Sequence, residues 1–337
     1  MYKEMIDFHT HIFPPNFPNY NKIFNCDKYM YIEEKDNQIS LMYKNKLFRK
    51  IDKNCLYLED RIKDMDAQGI QKQVLSIIPV LFCYEVPSND LYQVAEFINN
   101  YISSCVDQYP DRFLALGTLP MQDTKLSLKM INSNLENKTK LNLIGYQIGS
   151  NINNVNLDNE KFFPIYELLE KNQLILFIHP WNIMGEKHIK DYWLPWLVGM
   201  PAENSRAICS MIFGGIFDKF PNLKVVFAHG GGSFCGTVSR INHGYNVRPD
   251  LCGQNCLHEP LYYCKNNKIF VDSLVHSSKD LNNIINLFGE NNIIMGSDYP
   301  FPLGEANPGK FIENSITNKD MIDKIKKINL IKLINDN

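Results

Sequence analysis

The stretch MIDFHTHIF, from Met5 to Phe13, indicates how this chain is expected to fold. It is a short apolar run that carries two histidines, His9 and His11, two positions apart. Side chains alternate between the two faces of a β-strand, so both imidazoles are expected to point to the same side. The stretch therefore predicts a buried strand that ends in a pair of metal-binding or proton-transferring side chains.

Seven further apolar runs follow, rich in Val, Ile, Leu and Phe as in strands buried on both faces. They are Lys72–Ile78, Arg112–Leu119, Leu143–Gly149, Leu174–His179, Lys224–His229, Lys268–Leu274 and Asn292–Asp298. Helical patterns lie between and after them, at Glu59–Gly69, Ser88–Gln108, Lys125–Leu135, Asn159–Lys171, Pro201–Phe220, Phe234–His243, Ser278–Phe288 and Asp320–Ile334. A strand followed by a helix, repeated about eight times, predicts an α/β fold whose parallel sheet closes into a (β/α)₈ TIM barrel.

One segment breaks this alternation. Pro14–Leu58 is long and polar, and we interpret it as an insertion after the first strand, at the catalytic end of the barrel. No linker composition or internal repeat divides the chain, so residues 1–337 are expected to form one barrel domain that carries this insertion at 14–58. Ser88 is expected to cap the helix that follows the second barrel strand.

The bulk composition is that of an ordinary globular protein, with 45% hydrophobic and 21% charged residues. A net charge of −2 argues against nucleic acid or acidic membranes as partners. The N-terminal MYKEMIDFHTHIFPP lacks the features of a secretory signal, and no apolar run approaches the roughly 18 residues of a membrane span. We therefore expect a cytoplasmic protein whose nine cysteines are mostly buried thiols.

Histidine or aspartate residues end four of the eight predicted strands. They are His9 and His11 on the first, His179 on the fifth, His229 on the sixth and Asp298 on the eighth. In a barrel the carboxyl ends of all strands meet at one rim, which brings these distant residues together. Imidazole and carboxylate groups are good ligands for Zn²⁺, and a bound ion lowers the pKa of a water toward about 7. The pattern predicts a metal site with one further histidine free to move protons.

Other conspicuous groups have alternative interpretations. The run Gly230–Gly232 matches no phosphate-binding fingerprint, so a tight strand-to-helix turn is favoured. Trp181, Trp193 and Trp196 either line a pocket or pack in a core. His243 either interacts with a helix C-terminus or lines the site.

A second zinc site is not expected. Cys252, Cys256, His258 and Cys264 lack the paired two-residue gaps of zinc knuckles and ribbons.

Several longer strings resemble a known family. They are YWLPWLVGMPAENSRAICSMIFGGIFDKFPNLKVVFAHGGGSF (Tyr192–Phe234), RPDLC (Arg248–Cys252), GSDYPFPLGEANPGK (Gly296–Lys310), LGTLPMQ (Leu116–Gln122) and FRKIDKNC (Phe48–Cys55). Together with the strand-end residues, they resemble the amidohydrolase superfamily and, within it, the 2-amino-3-carboxymuconate-6-semialdehyde decarboxylases of tryptophan breakdown. The resemblance runs from Ile6 to about Asn329.

That resemblance implies an activity and a role for each site residue. The activity is the zinc-dependent, oxygen-independent decarboxylation of 2-amino-3-carboxymuconate 6-semialdehyde, a small dicarboxylate, to 2-aminomuconate 6-semialdehyde in the kynurenine pathway. The implied ligands of one Zn²⁺ per chain are His9, His11, His179 and Asp298, with His229 as the acid/base. Arg49 is implied to bind a substrate carboxylate, and Arg240 to enter the site of the neighbouring subunit in a homodimer. Trp196 and Phe301 are implied to lie near the pocket.

The chain departs from the family pattern at a few positions. HPWD in relatives is HPWN here, with Asn182, and Glu85 stands where relatives tend to carry an aromatic residue. One alternative enzyme is a related metal-dependent decarboxylase or hydrolase that acts on another small carboxylated substrate. A different class is an inactive barrel that serves as a binding module, which loss of a ligand or of His229 would favour; none is lost.

Overall fold

A computed structural model describes residues 4–36, 38–136, 141–266 and 268–335. The strands, in chain order, are β1 (Ile6–Ile12), β2 (Tyr31–Lys35), β3 (Gln38–Tyr43), β4 (Lys46–Ile51), β5 (Lys72–Ile77), β6 (Phe113–Thr118), β7 (Gly145–Gly149), β8 (Ile175–His179), β9 (Lys224–Phe227), β10 (Phe270–Asp272) and β11 (Ile293–Ile294). The α-helices are α1 (Tyr20–Ile23), α2 (Leu58–Gln68), α3 (Ser88–Gln108), α4 (Thr124–Leu135), α5 (Phe163–Lys171), α6 (Met200–Phe213), α7 (Ile216–Lys219), α8 (Phe234–Val247), α9 (Pro249–Cys252), α10 (Pro260–Lys265), α11 (Ser278–Phe288), α12 (Pro308–Ser315), α13 (Lys319–Asp323) and α14 (Asn329–Asn335).

Eight strands form one parallel sheet in the order β1-β5-β6-β7-β8-β9-β10-β11. The segment after β11 returns to β1, since Phe8 N–H donates to Met295 O over 2.8 Å and His11 N–H donates to Tyr299 O over 2.7 Å. These bonds join the two ends of the sheet. The predicted TIM barrel is confirmed, and each of its eight strands lies within the run that predicted it.

Apolar side chains of the barrel strands form a cluster separate from the larger core under the helices. It contains Ile6, Phe8, Val74, Leu116, Ile175, Phe177, Val226, Ala228 and Ile294, together with Leu330 and Leu333 of α14. The register of β1 against β5 shifts between Asp7 and Thr10. Through this irregularity Phe8 and the adjacent His9 both contact the Phe177 ring, at centroid distances of 4.9 and 5.0 Å. The barrel therefore changes from apolar filling to polar site within two residues of β1.

The insertion after β1 has secondary structure that the sequence did not indicate. Within it, β2, β3 and β4 form an antiparallel sheet of their own. Only a few of its side chains, such as Ile39 and Leu41, are buried, so its apolar signal is weak. This sheet carries Arg49 on β4.

Three local predictions were wrong. Pro87, not Ser88, is the N-cap of α3, and the Ser88 hydroxyl instead donates to Asp123. The helix predicted over Pro201–Phe220 is broken at Gly214 and Gly215, where Gly215 adopts a φ of 70°. His243 does not end its helix, because α8 continues to Val247.

The cysteines are free thiols, five of them buried, as expected. Among the helices in the described ranges, none has both the length and the apolar character needed to cross a bilayer.

Candidate active site

The barrel brings the five predicted strand-end residues together at its rim. One donor atom from each of His9, His179, His229 and Asp298 lies within 4.8 Å of all the others. His11 joins them, since its Nε2 lies 2.9 Å from Asp298 Oδ1 and 3.1 Å from His9 Nε2. Residues that are up to 289 positions apart in the chain thus share one small volume.

The hydrogen bonds around His9 and His11 determine which nitrogen of each ring faces the site. His9 Nδ1 donates to Asp272 Oδ2 over 2.6 Å, and His11 Nδ1 donates to the carbonyl of Ile77 over 2.8 Å. In neutral rings both Nε2 atoms then present lone pairs, and these lie only 3.1 Å apart. Two such lone pairs repel each other unless a proton or a metal ion lies between them, so the pair is able to hold a metal ion.

His179 offers a third nitrogen in the same state. Its Nδ1 lies 3.1 Å from the Pro180 carbonyl, while its buried Nε2 has no hydrogen-bond partner among the residues that the structure describes. Burial, followed by the neighbouring His229 and His11, holds the pKa of His179 well below its usual value. A neutral, buried and unpaired imidazole nitrogen is a suitable metal ligand.

Asp298 supplies the negative charge of the cluster. Burial raises its pKa, but the adjacent His11 and His9 lower it more, and the net shift is downward. Its backbone adopts a φ of 61°, and its N–H donates to the carbonyl of His9 over 2.8 Å. Asp298 is therefore an ionised carboxylate directed at three imidazoles, which is a donor set that fits a divalent ion.

His229 lies on the tight turn that follows β9. Its Nε2 is 4.0 Å from Asp298 Oδ2. Burial and then repulsion from His9 lower the pKa of His229 to about 4, so its ring is neutral at pH 7 and able to accept a proton. Gly230 adopts a φ of 60°, and a Cβ there would lie 2.4 Å from Val275. The glycine run therefore forms the predicted turn.

Asp272 was not recognised from the sequence. It is fully buried at the end of β10, where it accepts hydrogen bonds from His9 and from the backbone N–H groups of His229 and Gly230, both over 2.8 Å. The signal that could have revealed it is a carboxylate inside the apolar run IFVDSLV (Ile269–Val275). A buried acid in a strand needs partners, and here the partners are the site itself.

A pocket of about 750 Å³ opens in front of the cluster. Its walls include all three tryptophans, Trp181, Trp193 and Trp196, so the pocket alternative holds for each of them, although Trp181 also packs against the core. Arg49 enters from β4, and its guanidinium carbon lies 4.5 Å from the Phe301 ring centroid and 6.0 Å from that of Trp196. His276 also lines the pocket.

Other predicted residues lie apart from the pocket. Arg240 and His243 are exposed on α8 and are not among the described residues that line it.

Glu85 is exposed, and Tyr43 donates to it over 3.4 Å. Asn182 donates to Asn151 Oδ1 over 2.9 Å in a pocket-side loop. Within the described ranges, the cysteines around Cys256 do not converge on a common centre.

Comparisons with known proteins agree with this geometry. The model of the amidohydrolase family matches residues 6–325. A 2-amino-3-carboxymuconate-6-semialdehyde decarboxylase of Dictyostelium discoideum is 46% identical over 310 residues, covering 92% of this chain and 85% of the relative. The same-named protein of Caenorhabditis elegans is 34% identical, covering 98% of this chain and 94% of the relative.

The fold is also found in a solved structure. A 5-carboxyvanillate decarboxylase of Novosphingobium aromaticivorans, complexed with manganese and 4-hydroxy-3-methoxy-5-nitrobenzoic acid, superposes with a TM-score of 0.80. The match covers 98% of this chain and 96% of that structure, at 22% identity. The family model and the two relatives show that this chain belongs to the amidohydrolase family and, within it, to the family of the 2-amino-3-carboxymuconate-6-semialdehyde decarboxylases.

Proposed function

We propose that this chain is a carboxy-lyase that converts 2-amino-3-carboxymuconate 6-semialdehyde to 2-aminomuconate 6-semialdehyde without oxygen. The observation that carries the proposal is the convergence of His9, His179, His229 and Asp298 within 4.8 Å, beside the pocket that Arg49 enters. The substrate is proposed from the name of the relative that is 46% identical to this chain. The proposed setting is tryptophan breakdown in the cytoplasm, where free cysteines stay reduced.

One Zn²⁺ per chain is the proposed metal, held by His9, His11, His179 and Asp298. Imidazole Nε2 atoms and a carboxylate together favour a borderline divalent ion of this kind. When bound, such an ion lowers the pKa of a coordinated water and stabilises developing negative charge. The manganese in the 5-carboxyvanillate decarboxylase makes Mn²⁺ the ion to test beside zinc.

The chain's own residues account for binding and proton transfer. Arg49 presents a planar guanidinium that suits a carboxylate, and Phe301 and Trp196 hold it by their ring faces. In the reaction the bond between carbon and carboxylate breaks, CO₂ leaves, and the electron pair stays on the carbon, which then takes up a proton. His229, neutral and partly open to the pocket, is placed to accept a proton from water and to pass it to that carbon.

We also propose that the enzyme is a homodimer in which Arg240 serves the neighbouring site. Arg240 is exposed and has no ion pair or hydrogen bond within the described part of the chain. Gly236 and Gly244 lie four residues to either side of it on α8, and a Cβ at either position would meet nothing within 4 Å. Together with Val247, which is 55% exposed, they form an open helix face that suits close approach of a second copy.

The activity is tested directly with purified protein under anaerobic conditions. Loss of the substrate's near-ultraviolet absorbance, with release of one CO₂ per substrate consumed, is the expected result. 5-Carboxyvanillate and 2,6-dihydroxybenzoate serve as comparison substrates, because decarboxylases named for these two acids share this fold. Turnover of a comparison substrate without turnover of 2-amino-3-carboxymuconate 6-semialdehyde would contradict the proposal.

A further inference from the structure

Arg61 of α2 has the largest fully buried side chain among the described residues, with 0% of its surface exposed. No described carboxylate forms an ion pair with its guanidinium, and its Nε has no hydrogen-bond partner among the described residues. Burying a charged group without an ion-pair partner is unfavourable even after relaxation, and the buried Asp7 acts on this guanidinium only at longer range. An apolar residue would anchor α2 without this penalty, so the contacts of Arg61 need a separate explanation.

The guanidinium contacts three groups, two of which belong to or adjoin proposed metal ligands. Nη2 donates to the carbonyl of His11, and Nη1 donates to Gln73 Oε1 on β5 over 3.0 Å. The guanidinium carbon lies 4.7 Å from the ring centroid of Tyr299, the residue that follows Asp298. Arg61 thus holds the backbone of one proposed ligand and the side chain adjacent to another.

Tyr299 also bonds both to β1, at His11, and to α2, at Asp64. Its carbonyl accepts the N–H of His11 over 2.7 Å, and its hydroxyl donates to Asp64 Oδ2 over 2.6 Å. Asp64 also accepts from Asn54 over 2.8 Å. One turn of α2, with Arg61 and Asp64, therefore contacts the Tyr299 ring at its face and at its hydroxyl.

We propose that Arg61 is a positioning residue for the metal centre, which sets the relative placement of His11 and Asp298 by bonding the His11 carbonyl and stacking on Tyr299. The inference rests on the proposed metal site. Partners outside the direct ligands orient those ligands, and their loss typically weakens metal affinity by about 10- to 100-fold. Without Arg61, the His11 carbonyl loses its donor and the Tyr299 ring loses the cation that lies against it.

Metal affinity and ligand geometry test the role independently of activity. Wild type, Arg61→Met, Arg61→Lys and Tyr299→Leu are stripped of metal and titrated with Zn²⁺ against a chelator. Their Co²⁺ forms are compared by visible absorption, which reports the placement of the ligands. We expect Arg61→Met and Tyr299→Leu to bind zinc about tenfold or more weakly and to change the cobalt spectrum. Arg61→Lys keeps the charge but loses the planar guanidinium, so its zinc affinity should lie between those of wild type and Arg61→Met.

The matched control is Asn99→Ala. Asn99 is likewise a buried polar side chain on an outer helix, bonded to the Thr118 backbone on β6, but no proposed ligand lies on that strand. The Asn99→Ala substitution should lower the unfolding temperature and leave zinc affinity and the cobalt spectrum unchanged.

The outcomes separate the inference from the proposed function. A folded Arg61→Met with wild-type zinc affinity and an unchanged cobalt spectrum overturns the role of Arg61. If that variant does not fold, Arg61→Lys and Tyr299→Leu decide by the same two measurements. A wild-type protein that binds neither ion contradicts the metal site itself, and the inference fails with it.

Discussion

The carboxylate of Asp272 accepts the Nδ1 hydrogen of His9 over 2.6 Å, although 263 positions separate the two residues. The same carboxylate accepts the backbone N–H groups of His229 and Gly230. One buried side chain therefore sets the tautomer of a proposed ligand and the placement of the proposed acid/base. Such a partner is expected to matter nearly as much as a ligand.

We predict that Asp272→Asn weakens metal binding by about 10- to 100-fold. The amide retains the shape, but its NH₂ cannot accept the bonds that the lost oxygen took, so the His9 ring is no longer held in one tautomer. Chelator competition with Zn²⁺ measures the change. Asp250→Asn, at an exposed residue bonded to Arg248, is the control and should bind like wild type. Equal affinity in both variants would refute this role for Asp272.

Elemental analysis of the purified protein should find about one transition metal ion per chain, with zinc predominating. Chelation should abolish activity, and Zn²⁺ should restore it more fully than Mn²⁺. His11→Ala should lower both metal content and activity, because the Nε2 that it removes lies 2.9 Å from Asp298. Full activity in a protein shown to be free of metal would rule out the proposed centre.

His229→Ala should retain its metal but lose turnover by roughly 10²- to 10⁴-fold, the contribution typical of a general acid or base. The structure makes this a real test, because His229 lies in the same 4.8 Å group as three proposed ligands. Metal content and kcat are measured on the same sample. If the metal is lost together with the activity, His229 is a ligand and another group moves the proton.

Arg49→Lys should raise KM while kcat changes less. A hydrogen bond to a charged group contributes about 1.5–3 kcal/mol, which corresponds to roughly 10- to 150-fold in binding. Lysine lacks both the planar guanidinium that binds a carboxylate through two nitrogens and the flat surface that stacks on Phe301. Little of this binding free energy is therefore retained. Lys50→Arg, at the exposed neighbouring position on β4, is the control. An unchanged KM in Arg49→Lys would mean that the substrate carboxylate binds elsewhere.

Mixing experiments should show that Arg240 acts across a subunit boundary. Arg49→Ala and Arg240→Ala homodimers are each expected to be nearly inactive, since each of their sites lacks one arginine. A heterodimer of the two has one site with both defects and one with neither, so activity should recover toward half of the wild-type value. Heterodimers confirmed by mass but without recovery would show that Arg240 does not serve the partner's site.

The strands and helices of the barrel could be predicted because their signals are local. Apolar runs of strand length, and apolar residues at helical spacing, recur along the chain, and each predicted barrel strand was found. The strand-end histidines and Asp298 could be predicted for a related reason, since parallel strands of a barrel end at one rim. The sheet of the insertion could not, because strands such as β2 are largely exposed and carry little apolar pattern. The N-cap of α3 was misplaced by one residue because capping depends on backbone angles that composition does not determine.

By itself, then, the sequence determined the barrel and the identity of the groups at its rim. Only the tertiary structure decided how those groups are paired. The bonds of Asp272 to His9 and of Arg61 to the His11 carbonyl join residues 263 and 50 positions apart. Their existence depends on strand register, on the irregularity in β1 and on the return of the last strand to the first. Periodicity along a chain indicates which face of a strand or helix a side chain occupies. A hydrogen bond requires more, because its two heavy atoms must lie about 3 Å apart with suitable angles. Those distances and angles are determined only when the barrel closes.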